Sequence, residues 1–125
     1  IEPGYPTAHA YTSLGQLRYL SCIQRTDGVV DNSSSGLLEV PSFKKGTINI
    51  DARQRGRLKA ASVIDCEPKR KSIAIALQRL FSAEFQAQLL EVENRFYNGG
   101  ASVRVIEILE QKHLRWSLKK KFHDL

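Results

Sequence analysis

The residues best suited to chemistry lie in one short segment, residues 28–39, which reads Gly-Val-Val-Asp-Asn-Ser-Ser-Ser-Gly-Leu-Leu-Glu. Its apolar start predicts a buried strand ending at Asp31, followed by a polar turn and a short helix from about Ser35. Pro41 is expected to end or kink that helix within two turns. Backbone amides and hydroxyls at the start of a helix can bind an anion, but serines there can equally cap the helix and bind nothing. The local sequence leaves both interpretations open.

Basic residues form the second feature. The chain has 19 Lys and Arg against 13 Asp and Glu, a net charge of +6, which favours anionic partners. They cluster at residues 53–59, 69–71 and 119–121. Four of the five Phe stand in apolar contexts, whereas a nucleic-acid surface would need exposed aromatics among the cations, so a solvated surface is the simpler interpretation. The first cluster differs because it follows a predicted strand directly, and ligands gather at strand ends in α/β sheets.

The elements that must position these residues alternate along the chain. Short β-branched runs predict strands at residues 28–31, 47–50 and 63–66, and residues 8–12 form a further extended candidate. Apolar residues at helical spacing predict helices over residues 14–23, 73–81 and 101–109. Strands that alternate with helices indicate right-handed βαβ units, hence an α/β protein with a parallel sheet covered on both faces.

Length and composition limit the class of protein. The 125 residues are enough for one domain, and 42% hydrophobic residues provide a core. No apolar run approaches the ~18 residues of a membrane span. The two cysteines, Cys22 and Cys66, cannot form a disulfide framework and lack metal-ligand spacing. We therefore expect a soluble cytoplasmic protein that uses no membrane, metal or cofactor.

A series of motifs in fixed order carries a resemblance to a known family. The motifs are Asn-Ser-Ser-Ser-Gly-Leu-Leu-Glu-Val-Pro-Ser-Phe at 32–43, Thr-Ile-Asn-Ile at 47–50, Arg-Gln-Arg-Gly-Arg at 53–57 and Ser-Val-Ile-Asp-Cys at 62–66. Together they resemble the C-terminal region of hydrolysing UDP-N-acetylglucosamine 2-epimerases. The resemblance extends to residues 13–20, 100–102 and 119–122, and covers nearly everything from about residue 12 to the end.

This resemblance implies a glycosyltransferase-B-like enzyme, in which UDP-sugar binds between two Rossmann-like domains. Residues 1–125 would be a single domain, equivalent to the later part of the C-terminal nucleotide-binding domain. Its fold would be a partial Rossmann-like three-layer sandwich with a mainly parallel sheet of about four strands.

The resemblance also implies roles for five residues in UDP binding. Ser33 and Ser34 would bind the diphosphate, and Glu39 would accept hydrogen bonds from the ribose hydroxyls. Arg53 would close over the nucleotide as a charge partner, and Leu14 would pass beside the uracil. The chemistry is consistent, because hydroxyls and guanidinium groups suit phosphate oxygens and a carboxylate suits a vicinal diol.

The chain departs from the family at several of these positions. Asp31 stands where the family usually has Gly, and Gly46 where it has Pro. The family's Gly-Asp before the Arg-Gln pair is Asp51 and Ala52 here. A carboxylate at Asp31 would repel a neighbouring diphosphate. These differences leave the affinity for UDP open even where the fold is kept.

Catalytic groups are the larger departure. The family carries its catalytic carboxylates in the N-terminal domain and a histidine early in the C-terminal one. His9, His113 and His123 do not fall at the position of that histidine. We therefore expect no catalytic residue in this chain, and no turnover by it alone.

The resemblance thus implies a truncated UDP-sugar-binding segment that binds UDP or UDP-GlcNAc weakly. A repurposed structural module without a ligand and a basic nucleic-acid binder are the alternatives. The family's sheet has six strands in the order 3-2-1-4-5-6, and its strands 1 and 2 have no counterpart in this chain. The strand at residues 28–31 would then have an open edge. Either residues 8–12 of the same chain move beside it, or two chains join these edges or exchange their N-terminal segments about a two-fold axis; of these, a homodimer is the expectation.

Overall fold

The computed structural model describes residues 7–96 and 99–111. The helices are α1 (Gly15–Arg25), α2 (Ser35–Leu38), α3 (Arg70–Leu80), α4 (Ala83–Leu89) and α5 (Ala101–Gln111), and the strands are β1 (Gly28–Asp31), β2 (Gly46–Ile50) and β3 (Val63–Cys66). Two short 3₁₀ turns, Val40–Phe43 and Ala52–Gln54, follow α2 and β2. Among the described residues, none of the helices is long and apolar enough to cross a bilayer.

The three strands form a parallel sheet in the order β1-β2-β3. Ile48 on β2 lies opposite Val30 on β1 and Ile64 on β3. The β1–β2 connection contains α2 and a 3₁₀ turn, whereas the β2–β3 connection contains only the 3₁₀ turn Ala52–Gln54. α2 contacts β1 and β2, and α3, which follows β3, contacts β2 and β3. The prediction of an α/β protein with a parallel, partial Rossmann-like sheet is confirmed.

The two faces of β2 are buried against different layers. Ile48 is fully buried in the core cluster, with Leu80 of α3 and Phe85 of α4. Thr47 points to the opposite face, where its hydroxyl donates a hydrogen bond to the carbonyl oxygen of Gly36 in α2 over 3.0 Å. Alternate residues of a strand point to opposite faces, so β2 carries one apolar and one polar layer of contacts.

Gly46 begins β2 at a close approach between the sheet and α3. A Cβ at this position would lie 2.3 Å from Cδ1 of Leu80 and 3.0 Å from Cε1 of Phe85. The missing side chain therefore lets both hydrophobic residues pack directly on the strand. Gly46, which stands where the family has proline, thus avoids the clash that a Cβ would make at this position.

Residues 8–12 were expected to supply a further strand, and this prediction is wrong. The structure has no strand there, and all five residues are exposed. A strand needs a neighbour to satisfy its amides and carbonyls, and these residues pair with no other strand in the described part of the chain. The sheet accordingly has three strands there rather than about four.

The outer edges of the molecule also carry apolar surface. β1 is an edge strand of the sheet, and the side chain of Val30 is 49% exposed. The helix α5 was predicted correctly, but all its residues are exposed, including Val105 and Ile108.

The lysine cluster at 119–121, His113 and His123 lie outside the described residues.

Candidate functional site

The serine turn, residues 32–35, begins immediately after β1 and is organised by Asp31. The hydroxyl of Ser33 donates to Oδ2 of Asp31 over 2.7 Å, and its oxygen accepts the backbone N–H of Ser35 over 3.2 Å. Both hydrogen bonds join residues two apart in sequence and close the turn. Asp and Ser side chains often form such bonds in turns.

Ser34 occupies the cap position of α2, but its side chain makes no capping hydrogen bond. Its carbonyl oxygen accepts the N–H groups of Leu37 and Leu38, which are the first hydrogen bonds of the helix, and the amide of Ser35 is bonded by the hydroxyl oxygen of Ser33 instead. The capping interpretation of the serines therefore does not account for the hydroxyl of Ser34.

Glu39 follows α2 directly and is held by a chain of hydroxyl groups. The hydroxyl of Ser35 donates to Oε2 of Glu39, and the hydroxyl oxygen of Tyr19 lies 2.6 Å from Oγ of Ser35. Because Ser35 has one proton and gives it to the carboxylate, Tyr19 must be the donor to Ser35. Tyr19 belongs to α1, so this network fixes Glu39 relative to that helix.

Arg53 lies in the 3₁₀ turn after β2, with its side chain exposed. The next residue, Gln54, is 4% exposed, and its amide Nε2 donates to the carbonyl oxygen of Asn32 over 3.0 Å. This bond joins the Arg53 turn to the serine turn. The two segments predicted to form one site therefore lie together at the carboxyl ends of β1 and β2.

The turn that carries Arg53 starts from a strained residue. Asp51 has φ 73° and ψ 178°, a region that is essentially restricted to glycine. Its Oδ1 accepts the N–H of Ala52 over 2.6 Å, which holds the turn from the side chain. The substitution of the family's glycine by Asp51 has thus added a hydrogen bond to a backbone conformation that suits glycine.

A polar network lies at the ends of β2 and β3. Asn49 is 1% exposed and donates through Nδ2 to Oδ1 of Asp65 over 2.6 Å, and Lys59 forms an ion pair with the same carboxylate. Burial raises the pKa of Asp65, but the hydrogen bonds from Lys59 and Asn49 and the charge of Lys59 outweigh it and hold the pKa below its usual value. The pKa of Cys66 is raised by its burial and by the charge of Asp65, which keeps this thiol protonated.

Neither of two cavities in the described part of the chain is lined by the serine turn. One, of about 720 Å³, opens at the carboxyl ends of β2 and β3 and is lined by Asp51, Arg55, Arg57, Lys59, Asp65 and Lys69 among others. The second, of about 600 Å³, lies along α1 and includes Leu14, Tyr11 and Leu17. Within the described residues, Ser33, Ser34, Glu39 and Arg53 line neither of these two cavities.

The structure therefore brings four of the five predicted site residues to one edge of the sheet. Ser33, Ser34 and Glu39 belong to one hydrogen-bonded segment, and the turn of Arg53 is tied to it by Gln54. Leu14 directly precedes α1 and lines the second cavity, five residues before Tyr19. It is therefore linked to the other four through α1.

Sequence reasoning missed the residues that hold this arrangement. Tyr19 lies four residues before the buried Ile23 on α1, a spacing that places both on the inner face of the helix. Gln54 stands beside Arg53 inside a recognised motif. The helical spacing was a usable signal for Tyr19, whereas nothing local indicates that Gln54 reaches Asn32.

A parallel three-stranded sheet with helices packed on it, and a serine turn at the carboxyl end of β1, defines a partial Rossmann-like unit. Comparison with known proteins makes this class specific. The chain belongs to the UDP-N-acetylglucosamine 2-epimerase family, whose sequence model matches residues 1–110. This finding confirms the resemblance inferred from the motifs.

Individual relatives agree with the family. The chain is 36% identical over 92 residues, 74% of its length, to the polysialic acid biosynthesis protein P7 of Escherichia coli. It is 36% identical over 119 residues, 94% of its length, to the GDP/UDP-N,N'-diacetylbacillosamine 2-epimerase (hydrolyzing) of Campylobacter jejuni. A 24% identity over 106 residues, 85% of the chain, relates it to the UDP-N,N'-diacetylbacillosamine 2-epimerase (hydrolyzing) of Legionella pneumophila. These matches cover 24%, 30% and 27% of the relatives' own lengths.

Proposed function

We propose that this chain is a UDP-sugar-binding segment of a hydrolysing UDP-GlcNAc 2-epimerase, and that alone it binds UDP weakly without turnover. The reaction implied by the family is elimination of UDP from UDP-GlcNAc followed by hydration to N-acetylmannosamine. Such chemistry needs an acid and a base at the sugar. In the described part of the chain, the two aspartates at the carboxyl ends of β2 and β3 are already engaged, Asp51 with the N–H of Ala52 and Asp65 with Asn49 and Lys59.

The hydrogen bond from Gln54 to Asn32 is the observation that supports this proposal most directly. It holds the turn of Arg53 against the serine turn, although the two are separated by 22 residues in sequence. A guanidinium group on one segment and amides and hydroxyls on the other can then bind the same diphosphate from two sides.

Each proposed ligand contact has a group available for it. The hydroxyl of Ser34 and the backbone amide of Ser33 would donate to phosphate oxygens. Ser35 occupies only Oε2 of Glu39, so the second carboxylate oxygen would accept from the ribose hydroxyls. Leu14, on the flank formed by α1, would contact the uracil.

Weak binding follows from the extent of the site. The chain covers at most 30% of the length of the curated relatives that it matches. Small-ligand sites bury most of the ligand surface, and a one-sided site loses a large share of those contacts. We expect dissociation constants for UDP in the high micromolar to millimolar range.

Isothermal titration calorimetry with UDP tests the proposal. Wild-type protein should give measurable heat at millimolar UDP and a weaker response to UMP, which lacks the second phosphate. Arg53→Ala and Ser34→Ala should each weaken UDP binding. The same protein should release no UDP from UDP-GlcNAc above the background of a buffer blank.

Arg55→Ala is the matched control for Arg53→Ala. It removes the same charge from an exposed residue of the same loop that faces the 720 Å³ cavity instead. It should leave UDP binding within about twofold, because only general attraction is lost. The absence of UDP heat at millimolar concentration, or equal losses in the two variants, would contradict the proposed site.

We further propose that the chain forms a homodimer through β1. In the described part of the chain β1 has no partner on its outer edge, and unpaired amides and carbonyls beside an exposed Val30 favour pairing with another strand. A second copy related by a two-fold axis would present the same edge.

Sedimentation velocity at tens of micromolar tests the dimer, with Val30→Lys as the variant that charges the edge. A dimer for wild-type protein and a monomer for Val30→Lys are expected. A wild-type monomer in which the amides of β1 are nonetheless protected from hydrogen exchange would show that another segment of the same chain covers the edge.

A cytoplasmic location completes the proposal. Cys22 and Cys66 are both free thiols, which suits a reducing compartment. Nucleotide sugars as ligands are consistent with the same location.

A further inference from the structure

Asp31 is the last residue of β1 and directly precedes the serine turn, at a position where the family usually has Gly. Its Oδ2 accepts the hydroxyl proton of Ser33, and its Oδ1 is buried without a hydrogen-bond partner. A Cβ added to Gly36 would lie 2.7 Å from Oδ1, so the carboxylate packs directly against the backbone at the start of α2.

This carboxylate removes one hydroxyl from the set that a ligand could use. Ser33 has a single hydroxyl proton, and it is given to Asp31 over 2.7 Å. Its oxygen is occupied as well, because it accepts the N–H of Ser35. A phosphate oxygen can therefore gain a hydrogen bond from the hydroxyl of Ser33 only by displacing Asp31.

The hydroxyl group of Ser35 is likewise fully used in hydrogen bonds within the protein. Its proton goes to Glu39, and its oxygen accepts from Tyr19. Ser34 is the remaining serine, and its side chain makes no capping hydrogen bond. Of three adjacent hydroxyl groups, one is thus left to face a ligand.

Asp31 also changes the charge beneath the turn. A carboxylate a few ångströms from a bound anion opposes each additional negative charge on that anion. A free diphosphate carries a terminal phosphate whose last proton leaves with a pKa near 6, so at pH 8 it has about one more negative charge than a diphosphate diester.

We propose that Asp31 is a specificity-determining residue, which makes this site select a diphosphate diester, as in an intact nucleotide sugar, over a free nucleoside diphosphate. The inference rests on the proposed function, since it concerns the same diphosphate site. The site would then bind the intact nucleotide-sugar substrate in preference to the free nucleoside diphosphate that the reaction releases.

The test compares Asp31→Asn with wild-type protein on two ligands, UDP and UDP-GlcNAc, by calorimetry on the full 125-residue chain at pH 8 and low salt. Asparagine has nearly the shape of aspartate and can still accept from Ser33, so the change is mainly one of charge. Asp31→Asn should tighten UDP binding about fivefold and UDP-GlcNAc binding about twofold, since charge pairs at this range are worth factors of this order. The ratio of the two gains cancels contacts made by the sugar, which are the same in both proteins.

Asp27→Asn is the control, because it removes the same charge from an exposed residue at the amino end of β1. It should change both affinities equally and by less than about twofold. Circular dichroism and a thermal melt establish that each variant is folded.

The outcomes separate this inference from the proposed function. With wild-type UDP binding detected, a larger gain for UDP than for UDP-GlcNAc supports the role of Asp31. A gain for UDP that is equal to or smaller than the gain for UDP-GlcNAc, or no gain, overturns the inference and leaves the proposed function standing. No heat from either ligand with any folded variant overturns both.

Discussion

The hydroxyl oxygens of Tyr19 and Ser35 lie 2.6 Å apart and join α1 to the serine turn across 16 residues of sequence. Since Ser35 passes its own proton to Glu39, the three groups form a directed chain from the helix to the carboxylate. The position of Glu39 therefore depends on the packing of α1, and not only on the short helix α2 that precedes it.

Removing the donor at the start of this chain tests the dependence. Tyr19→Phe keeps the ring and deletes the hydroxyl, leaving Ser35 with one hydrogen bond fewer. We expect a loss of about 0.5–1.5 kcal/mol in the free energy of unfolding, the usual range for one hydrogen bond, measured by urea titration. UDP binding should weaken as well, because Glu39 is held less firmly.

Tyr11→Phe is the control for this substitution. Tyr11 is 67% exposed, so loss of its hydroxyl should change stability by less than about 0.5 kcal/mol. Equal stabilities of Tyr19→Phe and wild-type protein would show that the Tyr19–Ser35 bond contributes nothing in solution.

The strained backbone at Asp51 gives a second prediction. Asp51→Gly relieves a backbone conformation that costs a non-glycine residue about 1–3 kcal/mol. It also loses the hydrogen bond to Ala52, worth about 0.5–1.5 kcal/mol. In addition, glycine raises the conformational entropy of the unfolded chain. We expect a net stabilisation of up to about 1 kcal/mol. Asp51→Ala is the informative comparison, because it loses the same hydrogen bond while keeping the strain. It should destabilise the protein, and a chemical denaturation series that ranks alanine above glycine would contradict the strain argument.

The lowered pKa of Asp65 predicts how stability changes with pH. A carboxyl group whose pKa is lower in the folded than in the unfolded state stabilises the protein above the unfolded pKa, near 3.9, and this contribution is lost as the pH falls through the folded pKa. Its side chain is 56% exposed, so solvent screening limits the contribution to less than about 1 kcal/mol. Urea titrations at pH 7 and pH 3 should show Asp65→Asn less stable than wild type at pH 7, with the difference reduced at pH 3. Asp27→Asn, an exposed aspartate without an ion pair in the described part of the chain, should show a smaller change between the two pH values.

Local patterns predicted the three strands because β-branched runs such as Thr47–Ile50 are typical of buried parallel strands wherever their neighbours lie. The candidate strand at residues 8–12 failed for the opposite reason. Whether a short, exposed segment is extended and paired depends on a partner strand, and its own sequence does not contain that information.

The same distinction applies to the candidate site. The motifs located Ser33, Ser34, Glu39 and Arg53, and Asp31 and Ser33 are close enough in sequence for their hydrogen bond to be a local feature. The contacts from Tyr19 and Gln54 are long-range and depend on how α1 and the 3₁₀ turn pack on the sheet. Which serine hydroxyl remains available is thus set by tertiary structure, and the sequence could only name the three candidates.

The close approach at Gly46 gives the final prediction. Gly46→Ala places a methyl group 2.3 Å from Cδ1 of Leu80 and 3.0 Å from Cε1 of Phe85, and Leu80 is 1% exposed. Overpacking of this kind costs about 1–3 kcal/mol, and Leu80→Ala alone should cost about 2–5 kcal/mol through the cavity it leaves. In the double variant the new methyl group occupies part of that cavity, so the two losses should not add. A double-mutant cycle by urea titration should give a favourable coupling of at least about 1 kcal/mol. Additive losses would mean that Leu80 does not pack on Gly46 in solution, and that the glycine at the start of β2 has another cause.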